Sequence, residues 1–242
     1  MSEYNVVIST AESTVVAEYE PKGSRSDAYQ SEAALEAAFI KQLQGQGYEY
    51  LTIHNEGDLI ANLRTQLEKL NHYTFTDREW NDFFRNVIAN QNASIADKSK
   101  IIQEDYIQSI VRENGESQNI KLIDKNNIHN NFLQVINQYE EEGGTHSTRY
   151  DVTILVNGLP LVHIELKRRG VAIKEAFNQI RRYNRDSFWA GCGLYEYVQI
   201  FVISNGTHEI CARTRFFCSQ TVFFHCRRSV YRKFRMNVHI RK

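Results

Sequence analysis

Cysteine is absent from the first 191 residues of this 242-residue chain, and the four present, Cys192, Cys211, Cys218 and Cys226, are confined to its last quarter. That distribution excludes a disulfide scaffold. No two of them form a C-x-x-C pair, so free thiols are the stronger reading over a zinc site built with His208 or His225. No run approaches the ~18 consecutive apolar residues of a membrane span, and the N-terminus carries Glu3, Glu12, Glu18 and Glu20 in place of a basic and then apolar leader. The expectation is a cytoplasmic protein. Acidic residues vanish after Glu209, where Arg213, Arg215, Arg227, Arg228, Arg232, Lys233, Arg235, Arg241 and Lys242 are all basic. Because 29 basic and 29 acidic residues cancel over the whole chain, everything before that point is net acidic, and total charge selects no partner. With 42% apolar and 24% charged residues, what is there suffices for the core of one large or two small domains.

Periodicity divides the rest. Residues 1–28 lack it and read as an extended arm. Leu35, Phe39 and Leu43 then recur at helical spacing until Gly45 and Gly47 stop the run. Leu59, Leu63, Leu67 and Leu70 mark a second helix. Thr76 with Glu79 three residues on is a capping box opening a third, which carries Trp80, Phe83, Phe84 and Val87. Ile101, Ile102, Tyr106, Ile110 and Val111 predict a fourth. The period then switches to strands at 119–124, 132–139, 150–156 and 161–167, followed by a helix over about 171–185 and a doubly buried strand at 197–204. Helices, strands, helix and strand in that order make an α/β layer architecture with a mixed sheet.

The hairpin over 150–167 carries the chemistry. Its apolar residues Val152, Ile154, Val156, Val162, Ile164 and Leu166 all have even numbers, so they share one face only if directly opposed residues also have an even sum. That parity requires an odd loop, for which Asn157-Gly158-Leu159 is the expectation, and it rejects a two-residue Asn-Gly turn. Asp151, Thr153, His163, Glu165 and Lys167 then converge on the other face. Two carboxylates brought close must share a proton or bind a hard divalent cation. Mg²⁺ needs only one or two protein carboxylates and keeps several waters, and the carbonyl of Ile164 is available as a further ligand. A lysine beside Glu165 can orient or deprotonate the attacking water, or stabilise charge developing on phosphorus. The competing reading is an exposed strand face with a simple ion pair.

The run RYDVTILVNGLPLVHIELKRRG at 149–170 resembles the nuclease motif of the PD-(D/E)xK superfamily, in the form found in the R subunit of type I restriction enzymes. EAFNQIRRY resembles that family's Q-x-x-x-Y motif through Gln179 and Tyr183. YQSEAALEAAFIKQLQGQGYEY is similar to its opening helix, and FVISNGT to the strand after the motif. The resemblance implies a restriction-endonuclease-like mixed sheet flanked by helices, with an N-terminal helical insertion, in a domain over 29–209. It implies metal-dependent hydrolysis of double-stranded DNA, with Asp151 and Glu165 as ligands of Mg²⁺ or Mn²⁺, Lys167 as the catalytic lysine, and Gln179, Tyr183 and Arg182 as DNA contacts or site support. Glu32 and Glu36 on the first helix are further ligand candidates, set against a solvated helix face.

The same resemblance implies modification (methyltransferase) and specificity subunits as partners, and cleavage without sequence readout by this domain. An R subunit of this kind also holds an ATP-driven translocase, whereas this chain contains no G-x-x-x-x-G-K-[ST] loop, so ATP is expected only in motor domains outside it. Residues 210–242 form a divergent basic tail, read as a shifted reading frame or a disordered end, or else as a tail that binds DNA backbone. Two alternatives stand beside the nuclease reading: a non-catalytic interaction fragment of the restriction complex, and a stand-alone nuclease resembling Holliday-junction resolvases.

Overall fold

The computed structural model describes residues 4–9, 14–19, 31–141, 148–168, 193–205 and 209–214. Strands β1 (Tyr4–Ser9) and β2 (Thr14–Tyr19) precede helix α1 (Glu32–Gln44), and a short strand β3 (Glu49–Tyr50) leads into α2 (Glu56–Asn71), α3 (Asp77–Phe83) and α4 (Ile95–Gln103). Strands β4 (Ile107–Val111) and β5 (Ser117–Lys121) form a separate hairpin. They are followed by β6 (Leu133–Glu141), β7 (Thr148–Val156), β8 (Leu159–Leu166), β9 (Ile200–Ser204) and β10 (Glu209–Thr214). Among the described residues, the large sheet runs β1-β2-β10-β9-β8-β7-β6-β3. It is mixed, because β3 is parallel to β6 and β8 to β9 while the other neighbours are antiparallel. A helix-flanked mixed sheet with a helical part inserted after α1 is the architecture that the resemblance implied.

Local chemistry explains the helix starts. Ser31 accepts from the Ala34 N–H at 3.2 Å, and Asn55 from the Asp58 N–H at 2.9 Å. The Thr76–Glu79 capping box forms as expected, and Ser94 with Asp97 makes a second. Leu59, Leu63 and Leu67 of α2 lie one turn apart and are fully buried, in one core with Trp80, Phe83, Ile102, Leu155 and Leu159. A second core lies between α1 and the opposite face of the sheet, built from Leu35, Ile40, Leu43, Val135, Val152, Ile154, Ile164 and Leu166. The central strands are thus covered on both faces.

Several expectations need correction. The fourth helix ends at Gln103, and Ile107–Val111, expected to continue it, is strand β4. Apolar residues three and four apart over so short a stretch suit either period. The β-branched Ile107, Ile110 and Val111 and the turn at Gly115, with φ 84°, decide for a hairpin in which Ile110 and Ile120 face the core. The strand expected over 119–124 is β5, ending at Lys121; Asp124 instead accepts from the Asn126 and Asn127 N–H groups in the following loop. Leu194–Tyr197 is a single 3₁₀ turn, so the strand expected from Tyr197 starts at Ile200. Buried Tyr197 donates its hydroxyl to the Ile88 carbonyl at 3.0 Å, which suits a turn facing the helical part better than a strand.

The stretch read as an extended arm contains β1 and β2, and β2 pairs with β10, a strand for which the sequence shows no readable period. The helix expected over 171–185 lies outside the described residues, as do 215–242 of the basic tail.

Candidate active site

The β7–β8 hairpin reconciles two requirements that the sequence sets against each other. Val152 opposes Ile164, Thr153 opposes His163 and Ile154 opposes Val162, the even-sum register that the apolar pattern demands. The expected three-residue loop is nevertheless absent. Asn157 (φ 52°) and Gly158 (φ 84°) make the two-residue turn with two left-handed residues, and Val156 opposes Leu159 across it. Leu161 on β8 is the extra residue of a bulge that shifts the register between the turn and Val162. Glycine is required at 158: besides its φ, a Cβ there would lie 2.6 Å from the Leu63 Cα, where α2 crosses the turn. Asn157 locks the turn by accepting from the Phe132 N–H and donating to the Leu122 carbonyl.

Past the bulge, the two faces separate as expected. Val152, Ile154, Ile164 and Leu166 pack under α1, with Val162 at the margin; Val156, on the turn side of the bulge, is not in that cluster. Thr153, His163 and Glu165 gather on the other face, but that face is not an exposed one. They are 1%, 0% and 1% exposed, because the Leu194–Tyr197 turn and β9 bring Tyr195 and Phe201 over them. Tyr195 stacks on Tyr150 at 4.5 Å and on Tyr139 at 4.9 Å, and its hydroxyl lies 3.1 Å from Thr153 Oγ1. The simple exposed ion pair is therefore not what this face presents.

Asp151 and Glu165 come from different strands and meet at the open end of the hairpin. Asp151 Oδ2 accepts from the Leu166 N–H at 2.9 Å, which draws the carboxylate over the peptide link following Glu165. Glu165 Oε1 accepts from Lys167 Nζ at 2.7 Å, and the Lys167 N–H is itself held by the Ser204 carbonyl of β9. Glu165 Oε2 is buried, has no hydrogen-bond partner among the described residues, and lies 3.5 Å from His163 Nε2. Burial and the neighbouring Glu165 push the Asp151 carboxyl up to about 6, against the opposing pull of the Leu166 N–H and Lys167. Burial acts to raise Glu165 too, but His163 and Lys167 outweigh it and its carboxyl falls below the usual range. Across from Asp151 the β6–β7 ladder skips Gln138, whose φ of 52° is left-handed, a strain of the kind found beside functional sites.

Two carboxylates, one with a buried unpartnered oxygen, fit a hard divalent cation that keeps part of its water shell. Among the described residues no group of three or more His, Cys, Asp or Glu gathers to hold a metal ion. Ile164 buries its side chain under α1 and immediately precedes Glu165. Glu32 and Glu36 are not simply solvated: Glu32 accepts from the Arg168 N–H just past β8, and Glu36 from the Asn137 and Gln138 side-chain amides of β6. Gln179, Arg182 and Tyr183 lie outside the described residues.

Sequence reasoning placed His163 on this face without giving it a role, and it overlooked Tyr195 and Lys98. Lys98 of α4 is 2% exposed, pairs with Glu196 and donates to the Gly193 carbonyl at 3.2 Å, fixing the turn that carries Tyr195. One of two lysines in an amphipathic helix gives no such signal.

A family model described as the type I restriction enzyme R protein N terminus matches residues 29–215. The chain is 47% identical over 208 residues to the type I restriction enzyme EcoprrI endonuclease subunit of Escherichia coli, covering 86% of this chain and 64% of that protein. It is 40% identical over 183 residues to the SsaAORF53P endonuclease subunit of Staphylococcus saprophyticus, covering 74% of this chain and 19% of that protein. With the putative MjaIXP endonuclease subunit of Methanocaldococcus jannaschii it shares 34% identity over 119 residues, 45% of this chain and 11% of that one. The chain thus spans just under two thirds of the first relative and about a fifth of the second.

Proposed function

The chain belongs to the family of type I restriction enzyme R protein N termini, and from that premise we propose that it is a Mg²⁺-dependent endonuclease domain that hydrolyses phosphodiester bonds of double-stranded DNA. The observation carrying this reading is the Asp151–Glu165 pair, drawn together from two strands while burial works against its charge. Asp151 and Glu165 hold the cation, Mg²⁺ or Mn²⁺, with the carbonyl of Ile164 as a further oxygen. When bound, the metal supplies Lewis acidity toward a phosphate oxygen and a lowered pKa for a coordinated water. Lys167, tied to Glu165 Oε1, orients the attacking water and stabilises negative charge on the phosphate. Gln179, Tyr183 and Arg182 meet the DNA or support the site, a role taken from the family pattern.

No residue on this chain is assigned to reading bases. In this proposal a specificity subunit selects the DNA, a modification subunit completes the complex, and ATP acts in motor domains of the longer R subunit. The second reading, a non-catalytic interaction fragment, draws on the donor set of the described residues, which holds no group of three or more His, Cys, Asp or Glu.

Calorimetric titration of Mg²⁺ into the purified chain, with nicking of supercoiled plasmid on the same samples, separates the two. The nuclease reading expects binding that Asp151→Asn abolishes, together with metal-dependent nicking. A folded wild-type chain that binds no Mg²⁺ supports the interaction fragment instead.

A further inference from the structure

We propose that His163 is a positioning residue for Glu165, setting the orientation in which its carboxylate takes the cation; this rests on the metal-site reading above. His163 lies two residues before Glu165 on β8 and so projects from the same face. Its ring cannot wander. It is fully buried, directly opposite Thr153 on β7 and Phe201 on β9, with the Tyr150 ring edge-on at 5.1 Å and the Phe201 ring edge-on at 6.3 Å. Its Nε2 stands 3.5 Å from Glu165 Oε2, within ion-pair range and just beyond a formed hydrogen bond. Lys167 already holds Oε1 at 2.7 Å. The carboxylate is therefore bracketed, Lys167 on one oxygen and His163 on the other.

An imidazole in this position is costly as pure packing, since an aliphatic side chain fills an aromatic-lined space with no polar atoms to desolvate. The opposite face of the same strand uses Ile164 and Leu166 for that purpose. Partners that fix a ligating carboxylate from behind are worth about 10–100-fold in metal affinity.

The test is Mg²⁺ affinity by calorimetry on the full chain, measured for wild type, Asp151→Asn, His163→Leu, His163→Gln and His163→Asn, with melting curves of each. A Gln amide nitrogen reaches the position of Nε2, whereas an Asn amide reaches that of Nδ1. The proposal expects His163→Leu to bind Mg²⁺ about 10–100-fold more weakly without a lower melting temperature, His163→Gln to recover to within a few-fold of wild type, and His163→Asn to remain weak. Wild-type affinity in His163→Leu overturns it, and so does equal loss in the Gln and Asn variants. If His163→Leu does not fold, the Gln–Asn contrast decides. Absence of Mg²⁺ binding by wild type, or binding that survives Asp151→Asn, overturns the metal-site reading itself and the inference with it.

Discussion

Two faces of one β-hairpin are buried to the same degree and are made for opposite ends. Under α1, Val152, Ile154, Ile164 and Leu166 meet Leu35, Ile40 and Leu43, and every contact removes apolar surface from water. On the other side, Thr153, His163 and Glu165 are equally hidden, but their walls are Tyr150, Tyr195 and Phe201, and the space contains charge. Burying a carboxylate costs free energy that a cation can return. The aliphatic face stabilises the hairpin, and the polar face spends part of that stability to keep two carboxylates poised. Because adjacent residues of one strand serve the two faces, single substitutions can address either alone.

The largest effect comes from breaking the aliphatic side. Ile164→Ala removes a side chain 2% exposed within the α1 core, and a loss of about 2–5 kcal/mol is expected from urea unfolding. The main-chain carbonyl of residue 164 is untouched, so Mg²⁺ affinity of the folded fraction should stay near that of wild type. An affinity that falls with stability would mean that the two faces are not separable.

The opposite sign is expected across the strand. Asp151 has a folded-state pKa raised to about 6, from burial first and Glu165 second. A raised carboxyl stabilises the folded state fully below its unfolded value near 3.9, and that contribution is lost as pH rises through about 6. In the absence of metal, wild type should therefore lose stability relative to Asp151→Asn between roughly pH 4 and 6. At pH 7 the variant should be more stable by an amount on the order of 1–3 kcal/mol, while being unable to bind Mg²⁺. Comparing the two proteins at each pH cancels groups remote from Asp151, such as Asp97 and Asp124, whose hydrogen bonds depress their carboxyls, and leaves the Asp151–Glu165 pair as the difference. Parallel stability curves for the two proteins would show that Asp151 is not held at a cost.

How far this division could be read from the sequence depended on whether a residue's partners were local. Leu59, Leu63 and Leu67 of α2, the Thr76–Glu79 box and the even-numbered apolar residues of the hairpin other than Val156 carry their meaning in short-range spacing, and the structure has them as read. Parity even led to the correct register with the wrong turn, since a bulge at Leu161 is invisible to a rule that assumes one residue per step. Ile107–Val111 misled because five residues cannot distinguish a helical period from a strand. The carboxylates and lysine were legible through a family pattern. The covering of their face was not, because Tyr195 and Phe201 arrive from beyond the intervening segment of the sequence, far outside any local window, and Lys98 acts on Gly193 and Glu196 across a still longer separation. Burial of the polar face is a tertiary fact, written in no window of the chain.

The smallest effect tests that covering directly. Tyr195 touches the polar face through one hydroxyl, 3.1 Å from Thr153 Oγ1, and through a ring stacked on both Tyr139 and Tyr150. Tyr195→Phe keeps the ring and deletes the hydroxyl, leaving a buried threonine hydroxyl with one partner fewer, so about 0.5–1.5 kcal/mol of stability should be lost in chemical unfolding. Hydrogen bonding between the wall and the strand orders this face without touching Glu165, which predicts an unchanged Mg²⁺ affinity. On the α1 face the strand side chains Val152, Ile154, Ile164 and Leu166 are aliphatic and carry no hydroxyl to bond, although Tyr48 and Phe39 join the wall that covers them. A Tyr195→Phe protein as stable as wild type would show that the aromatic wall closes over the carboxylates by packing alone, as α1 does over the opposite side, and the contrast between the two faces would then lie only in Asp151, His163 and Glu165.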